Sequence, residues 1–329
     1  MPGLVPHELR RQHTVSDVLD RSLLFVTGKG GVGKTTLATA IALYSAERGR
    51  RTLLCEVDAK GDVASQLEVE TTGFEPSVVL PNLWAMSMDT EASLREYLKL
   101  QLKVPMVGRI GPLAKAFDFV ATAAPGVREI LTVGKLCYEV RERHYDMVVV
   151  DAAATGHVVG QLSAPQAINE LVRVGLVRSQ TRWMVDMLSD PAVTGLAVVT
   201  TPEEMPVNET MDLASRLQEH TTVSLCAVVV NRVLPELFAG TEEAVFDRLA
   251  KPAARSALGR VAGGDPSAVF DAARLAVTMR RTRAGHLERL RAGLDPAVPM
   301  LFIPELFTRS QGLRTVRKVA EHVAEEVGT

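Results

Sequence analysis

Short apolar runs recur along the chain at Leu23–Thr27, Thr52–Val57, Leu83–Met88, Met147–Val150, Gly195–Thr200, Ser224–Val230 and Pro299–Ile303. Runs of this length bounded by turn formers predict strands, and the helical spacing between several of them predicts repeated βα crossovers. The stretches "MVVV" and "CAVVV" are apolar without alternation, as expected of strands covered on both faces. Apolar residues three and four apart predict helices over Thr35–Arg48, Pro206–Glu219, Ala272–Arg291 and Gly312–Val327. The fold class that follows is α/β: a mostly parallel central sheet with helices on both faces.

One segment departs from this alternation. Between Ser93 and Cys137 helical spacing is interrupted at Pro105, Gly108, Gly111, Pro112, Pro125 and Gly126, which predicts short helices separated by turns. The chain therefore divides into an N-terminal extension, 1–20, and one domain, 21–329, carrying an inserted helical subregion at about 90–140. Two readings of the insert stay open: a flap over the core, and a partner or client surface made of apolar helix faces. Lys99, Lys103, Arg109, Lys115 and Asp118 interrupt its apolar run and argue against a deep groove.

Composition narrows the classes. With 329 residues, 47% of them hydrophobic, the chain can bury the core of one large α/β domain. A net charge of −2 provides no basic stripe for a phosphate backbone, so no nucleic-acid partner is expected. Cys55, Cys137 and Cys226 contain no CxxC pair, which suits a reducing, cytoplasmic compartment rather than a disulfide scaffold or zinc knot. The first twenty residues mix charges and histidines without an apolar core, so no signal peptide is read there; no long uncharged run predicts a membrane span.

The chemistry concentrates after the first run. Gly28-Lys29-Gly30-Gly31-Val32-Gly33-Lys34-Thr35 satisfies G-x-x-x-x-G-K-[ST], between a strand and a helix. Small residues let backbone N–H groups turn inward around phosphates, Lys34 reaches the terminal phosphates, and the Thr35 hydroxyl can ligate Mg²⁺. The same letters contain the dinucleotide pattern Gly28-x-Gly30-x-x-Gly33, with Asp58 as an acid at tolerable spacing. Lys34-Thr35 decides for ATP with Mg²⁺, because a dinucleotide pyrophosphate needs neither a buried lysine nor a metal-binding hydroxyl.

Acids follow two of the runs. Asp151, after "DMVVV", reads as the carboxylate that holds Mg²⁺ through a water, and Asp58, after "TLLCEV", as the residue polarising the attacking water. Asp62 is a further candidate for the outer shell of the metal. Thr155-Gly156-His157 reads as a flexible break beside the γ-phosphate, with Gly156 permitting movement.

With these residues placed, the chain resembles the deviant-Walker ATPases, through "GKGGVGKTT" at Gly28–Thr36. "VVVDAAATGHVVGQL", "VVTTPEEMPVNET", "VVVNRVLP" and "IPELF", in that order, make it similar to the arsenite-pump and tail-anchored-protein-targeting branch. Within that branch, "APGVREILTVGKL" and "LVRVGLVRSQTRWMVDMLSDP" place it nearest the actinobacterial anion-transporting-ATPase-like proteins, which occur as paralogous pairs. The resemblance implies that Lys29 crosses a dimer interface to a phosphate on the neighbouring subunit. It also implies that Asn231 recognises adenine, that Pro304, Glu305, Leu306 and Phe307 cover the base, and that Thr36 joins the loop in holding the nucleotide. The partner it implies is a second copy or a paralogous ATPase, in a dimer or a higher assembly, with a hydrophobic protein client as a further expectation.

Several positions depart from that branch. Asp58-Ala59-Lys60-Gly61-Asp62 keeps the catalytic aspartate of D-P-A-H-S-L-S-D without its histidine, and Ala152 and Ala154 replace a threonine and a proline of D-T-A-P-T-G-H. The zinc-binding CxxC is absent and the cysteines form no arsenite triad, which disfavours an arsenite-pump subunit. The main expectation is a Mg-dependent ATPase working as a dimeric nucleotide-driven switch. The alternative from another class is a nucleotide-gated binding or chaperone-like module with slow or no hydrolysis.

Overall fold

The structure is a computed structural model, and it describes residues 19–58, 60–102, 126–171, 176–238, 240–308 and 312–328. Eight strands form one sheet: β1 (Leu23–Gly28), β2 (Thr52–Glu56), β3 (Ser77–Leu80), β4 (Leu83–Ser87), β5 (Met147–Asp151), β6 (Thr194–Thr200), β7 (Leu225–Val233) and β8 (Met300–Pro304), in the order β3-β4-β2-β5-β1-β6-β7-β8. All neighbouring pairs are parallel except β3 with β4, so each predicted run is a strand and the sheet gains one short antiparallel edge.

The described helices are α1 (Lys34–Glu47), α2 (Asp62–Leu67), α3 (Thr90–Leu102), α4 (Val127–Arg141), α5 (Thr155–Leu171), α6 (Leu176–Ser189), α7 (Glu204–His220), α8 (Gly240–Leu249), α9 (Pro252–Ala262), α10 (Ser267–Gly293) and α11 (Leu313–Val327). Side chains alternate across a strand, so Leu23 and Phe25 of β1 enter one core while Leu24 and Val26 enter the other. On the first face they meet α4, α5, α6, α7 and the C-terminal part of α10; on the second, α1, α2 and α11. Helix α1 is buried over ten successive residues, Leu37–Ala46, which explains why "TLATAIALYSA" shows little amphipathic contrast. Thr155-Gly156-His157, predicted as a flexible break, instead forms the first turn of α5.

Two helical excursions leave the sheet. Helices α3 and α4 belong to the predicted insert, whose residues 103–125 lie outside the described ones. Lys135 of α4, only 5% exposed, clamps the two helices by donating from Nζ to Glu96 of α3 while pairing with Glu139 of α4, each at 2.7 Å. The second excursion, α8 to α10 between β7 and β8, contains a helix with no buried residue, α9, over which no helix was predicted.

Candidate functional site

The loop between β1 and α1 lies at the carboxyl edge of the sheet, where open parallel sheets bind ligands beside the strand at which the chain order reverses. From β1 the sheet continues through β5, β2 and β4 on one side and through β6, β7 and β8 on the other. Two glycines are dictated by close approach. A Cβ at Gly28 would collide with the Val199 carbonyl, and one at Gly33, where φ is 95°, would collide with the Asn231 carboxamide. Gly30 and Gly31 are exposed, Val32 is buried, and Thr36 is half-buried in the first turn of α1.

Lys34, the first residue of α1, donates one long hydrogen bond, 3.4 Å, to the Lys29 carbonyl. Thr35 donates through Oγ1 to Asp151 Oδ2 at 2.7 Å, joining the helix to the end of β5. The other carboxylate oxygen, Asp151 Oδ1, is buried and has no hydrogen-bond partner among the described residues. Burial lifts the Asp151 carboxyl to about 6, against the opposing pull of the Thr35 hydroxyl and the Lys34 ammonium, with Glu56 and Asp62 adding to the rise. An unmet buried acceptor costs about 1–3 kcal/mol. Next to a hydroxyl oxygen, that acceptor offers the hard, oxygen-only donor set suited to Mg²⁺.

Asp58 stands just beyond β2, the strand next to β5, and the Val57 N–H ties that edge to the Asp151 carbonyl at 3.1 Å. Its side chain is 43% exposed and pairs with Lys60 at 3.5 Å. With Val57, Ala153, His157 and Gln161 it lines a half-open cavity of about 200 Å³, to which α4 contributes Arg128, Glu129 and Thr132. Asp62 is exposed and begins α2.

Glu56 was not anticipated. It is 2% exposed, and its carboxylate accepts from Asp62 N–H at 2.8 Å, Gly61 N–H at 3.2 Å and Ser87 Oγ at 3.1 Å. These bonds fix the loop that carries Asp58 and Asp62. The signal for it was a carboxylate inside an otherwise apolar strand run, "TLLCE".

On the other side of β1, Lys29 forms an ion pair with Glu209 of α7, and the second carboxylate oxygen of Glu209 accepts from Thr155 Oγ1 at 3.4 Å. Asn231, near the end of β7, is buried; its Nδ2 donates to the Val32 carbonyl at 2.8 Å and its Oδ1 accepts from Arg232 N–H at 2.9 Å. Pro304 pairs with Val233 across β7 and β8, and Glu305 N–H donates to the Val233 carbonyl at 2.9 Å, so the Pro304–Phe307 loop begins beside that strand end. Leu306 is half-buried and Phe307 is 74% exposed with φ 42°. The structure thus gathers Lys29, Lys34, Thr35, Asp151 and Asn231 around the loop between β1 and α1, with Asp58 beyond β2, one strand further out than β5.

The cysteines do not join them. Cys55, Cys137 and Cys226 are each buried, and burial raises all three thiols, Cys137 to about 12 and Cys226 to about 11. Among the described residues no group of three or more His, Cys, Asp or Glu could hold a metal ion, and no helix is long and apolar enough to cross a membrane.

A family model described as anion-transporting ATPase matches residues 21–186 and 175–248. The chain is similar to the ATPase BagA of Mycobacterium tuberculosis, 33% identical over 224 residues, covering 65% of each protein. It is also similar to a putative arsenical pump-driving ATPase of Aquifex aeolicus, 26% identical over 244 residues, covering 65% of this chain and 81% of the relative. The ATPase get3 of Neurospora crassa is 31% identical over 173 residues, 51% of each chain. The chain spans 65% of the length of the mycobacterial relatives it matches.

Proposed function

The chain belongs to the anion-transporting ATPase family, and from that premise we propose that it is a Mg-dependent ATP hydrolase working as a dimeric nucleotide-driven switch. The observation that carries the reading is the Thr35–Asp151 bond, with Asp151 Oδ1 buried beside it and without a hydrogen-bond partner among the described residues. Thr35 and Asp151 would hold the metal, Asp151 through a water, with Asp62 in the outer shell. Bound Mg²⁺ would supply positive charge to the phosphate oxygens. Lys34 and the backbone N–H groups of Gly28–Thr36 bind the phosphates and stabilise charge developing on the terminal one. Asp58 orients and polarises the attacking water, and Asn231 with Pro304, Glu305, Leu306 and Phe307 holds the base.

Lys29 contributes to the site of a second subunit, a copy of this chain or a paralogous ATPase. The cavity shared by Asp58, His157 and α4 supports a mechanical link from nucleotide state to the helical subregion, because α4 is that subregion's return to the core. A hydrophobic client would meet that subregion.

Two measurements test this. Metal and proton compete for Asp151, whose carboxyl sits near 6. Its deprotonated form alone binds metal, so the Mg²⁺ concentration giving half-maximal phosphate release is expected to rise about tenfold per pH unit below pH ~6 and to level off above it. A value unchanged from pH 5 to 7, or turnover indifferent to Mg²⁺, would sink the assignment. For Lys29, mixing Lys29→Ala with Lys34→Ala subunits should restore roughly a quarter of parental turnover although each pure assembly is inactive, because half the dimers are mixed and one of their two sites combines its own Lys34 with the partner's Lys29. Full activity in the all-Lys29→Ala assembly would end the shared-site reading.

A further inference from the structure

Lys29 poses a problem for that reading: an ammonium meant for a neighbouring subunit is already occupied within its own chain. Its partner, Glu209, lies 180 residues away on α7, and the same carboxylate accepts from Thr155, the first residue after the Asp151 strand and its connecting turn. The pair is neither buried nor free, with side-chain exposures of 29% and 34%. A part-exposed ion pair contributes little to stability, yet it is strong enough to shift a conformational population by about five-fold. That magnitude suits a contact made and broken in a cycle better than one that holds the fold.

The surroundings point the same way. Lys29, Gly30, Gly31 and Val32 face Thr201, Glu203, Glu204, Met205, Pro206 and Arg232 across an open cleft of about 400 Å³. Met205 at its rim is 63% exposed. The Lys29 side chain therefore borders open space, and leaving Glu209 requires no core rearrangement.

We propose that Glu209 is a positioning residue for Lys29: its carboxylate holds the ammonium within its own subunit until a second subunit presents a phosphate to it. This rests on the reading that Lys29 acts across a shared site. The phosphate and Glu209 compete for one ammonium, so closure of two subunits costs two such pairs. Thr155 stays on the carboxylate after Lys29 leaves, so the start of α5 feels whether the lysine is held or handed over.

Glu209→Gln retains the side-chain shape and an acceptor for Thr155 while removing the charge. Two readouts separate the halves of the proposal. In nucleotide-free protein, acylation of Lys29 by a small amine-reactive ester, followed by peptide mass spectrometry, should be about five-fold faster in Glu209→Gln. In sedimentation with Mg·ATP, the protein concentration at half-dimerisation should fall by about 25-fold in Glu209→Gln, because two pairs, each worth about five-fold, no longer oppose closure. The same substitution made in a Lys29→Ala background should leave that concentration unchanged. An unchanged acylation rate overturns the hold within the subunit. Faster acylation with an unmoved dimerisation midpoint, or an effect of Glu209→Gln that survives in Lys29→Ala, overturns the hand-over. A parent that stays monomeric with Mg·ATP overturns the shared-site reading and the hand-over together, while the acylation rate still decides the hold.

Discussion

Lys34→Ala is expected to lower phosphate release by on the order of 10³ and to abolish measurable Mg·ATP affinity, while leaving the melting temperature within about 2 °C of the parent. The two halves have different causes. The ammonium stands at the first residue of a helix and makes one protein hydrogen bond, a long one to the Lys29 carbonyl. Losing a 3.4 Å bond costs the fold little. The same ammonium is the main positive charge that the loop can set against the terminal phosphates, in a half-buried setting where such a charge is worth more than in water. Calorimetry and nucleotide titration on the same sample check it: a variant that melts like the parent and still binds Mg·ATP would remove Lys34 from the site.

That separation between fold and chemistry also explains what was legible beforehand. The parallel strands announce themselves because burial on both faces leaves them uninterrupted apolar runs, and "MVVV" became Met147–Val150 of β5 with all four residues buried. β3 escaped because "SVVL" is four residues long, exposed or half-buried, and paired on one side only. Helices α8 and α9 carry little core, so their periodicity had nothing to point at.

The site divides in a similar way. Gly28, Gly33, Lys34 and Thr35 were readable because a loop that wraps phosphates needs fixed residue types at fixed short spacing, and Asp151 because it directly follows the buried run of β5. Glu209 pairs with Lys29 across 180 residues, and no local pattern encodes such a contact. Asn231 was placed at the base by resemblance; only the β6–β7 pairing reveals that its carboxamide reaches the Val32 carbonyl and so also braces the phosphate loop. Glu56 was visible as a letter and hidden as a role. A carboxylate in a buried strand is costly unless it is satisfied, and the bonds that satisfy it come from Gly61, Asp62 and Ser87.

The second large effect concerns Asp58. Asp58→Asn should keep Mg·ATP affinity within about threefold of the parent while lowering turnover by about 10²–10⁴, the range for removing a group that takes or orients a proton in the transition state. Affinity should be spared because, on the proposed reading, the phosphates would be held from β1 and α1, whereas Asp58 stands beyond β2, two strands from β1. Asparagine is nearly isosteric, and the lost ion pair with Lys60 is at the surface, 3.5 Å long and 67% exposed on the lysine side, so the fold should be indifferent. The carboxylate also borders the cavity that His157 and α4 complete, so its charge acts where the helical subregion meets the nucleotide edge. Single-turnover phosphate release with excess protein separates the chemical step from product release. A loss confined to steady-state turnover, with the single-turnover rate at the parental value, would move Asp58 from the chemical step to the opening of the subunits.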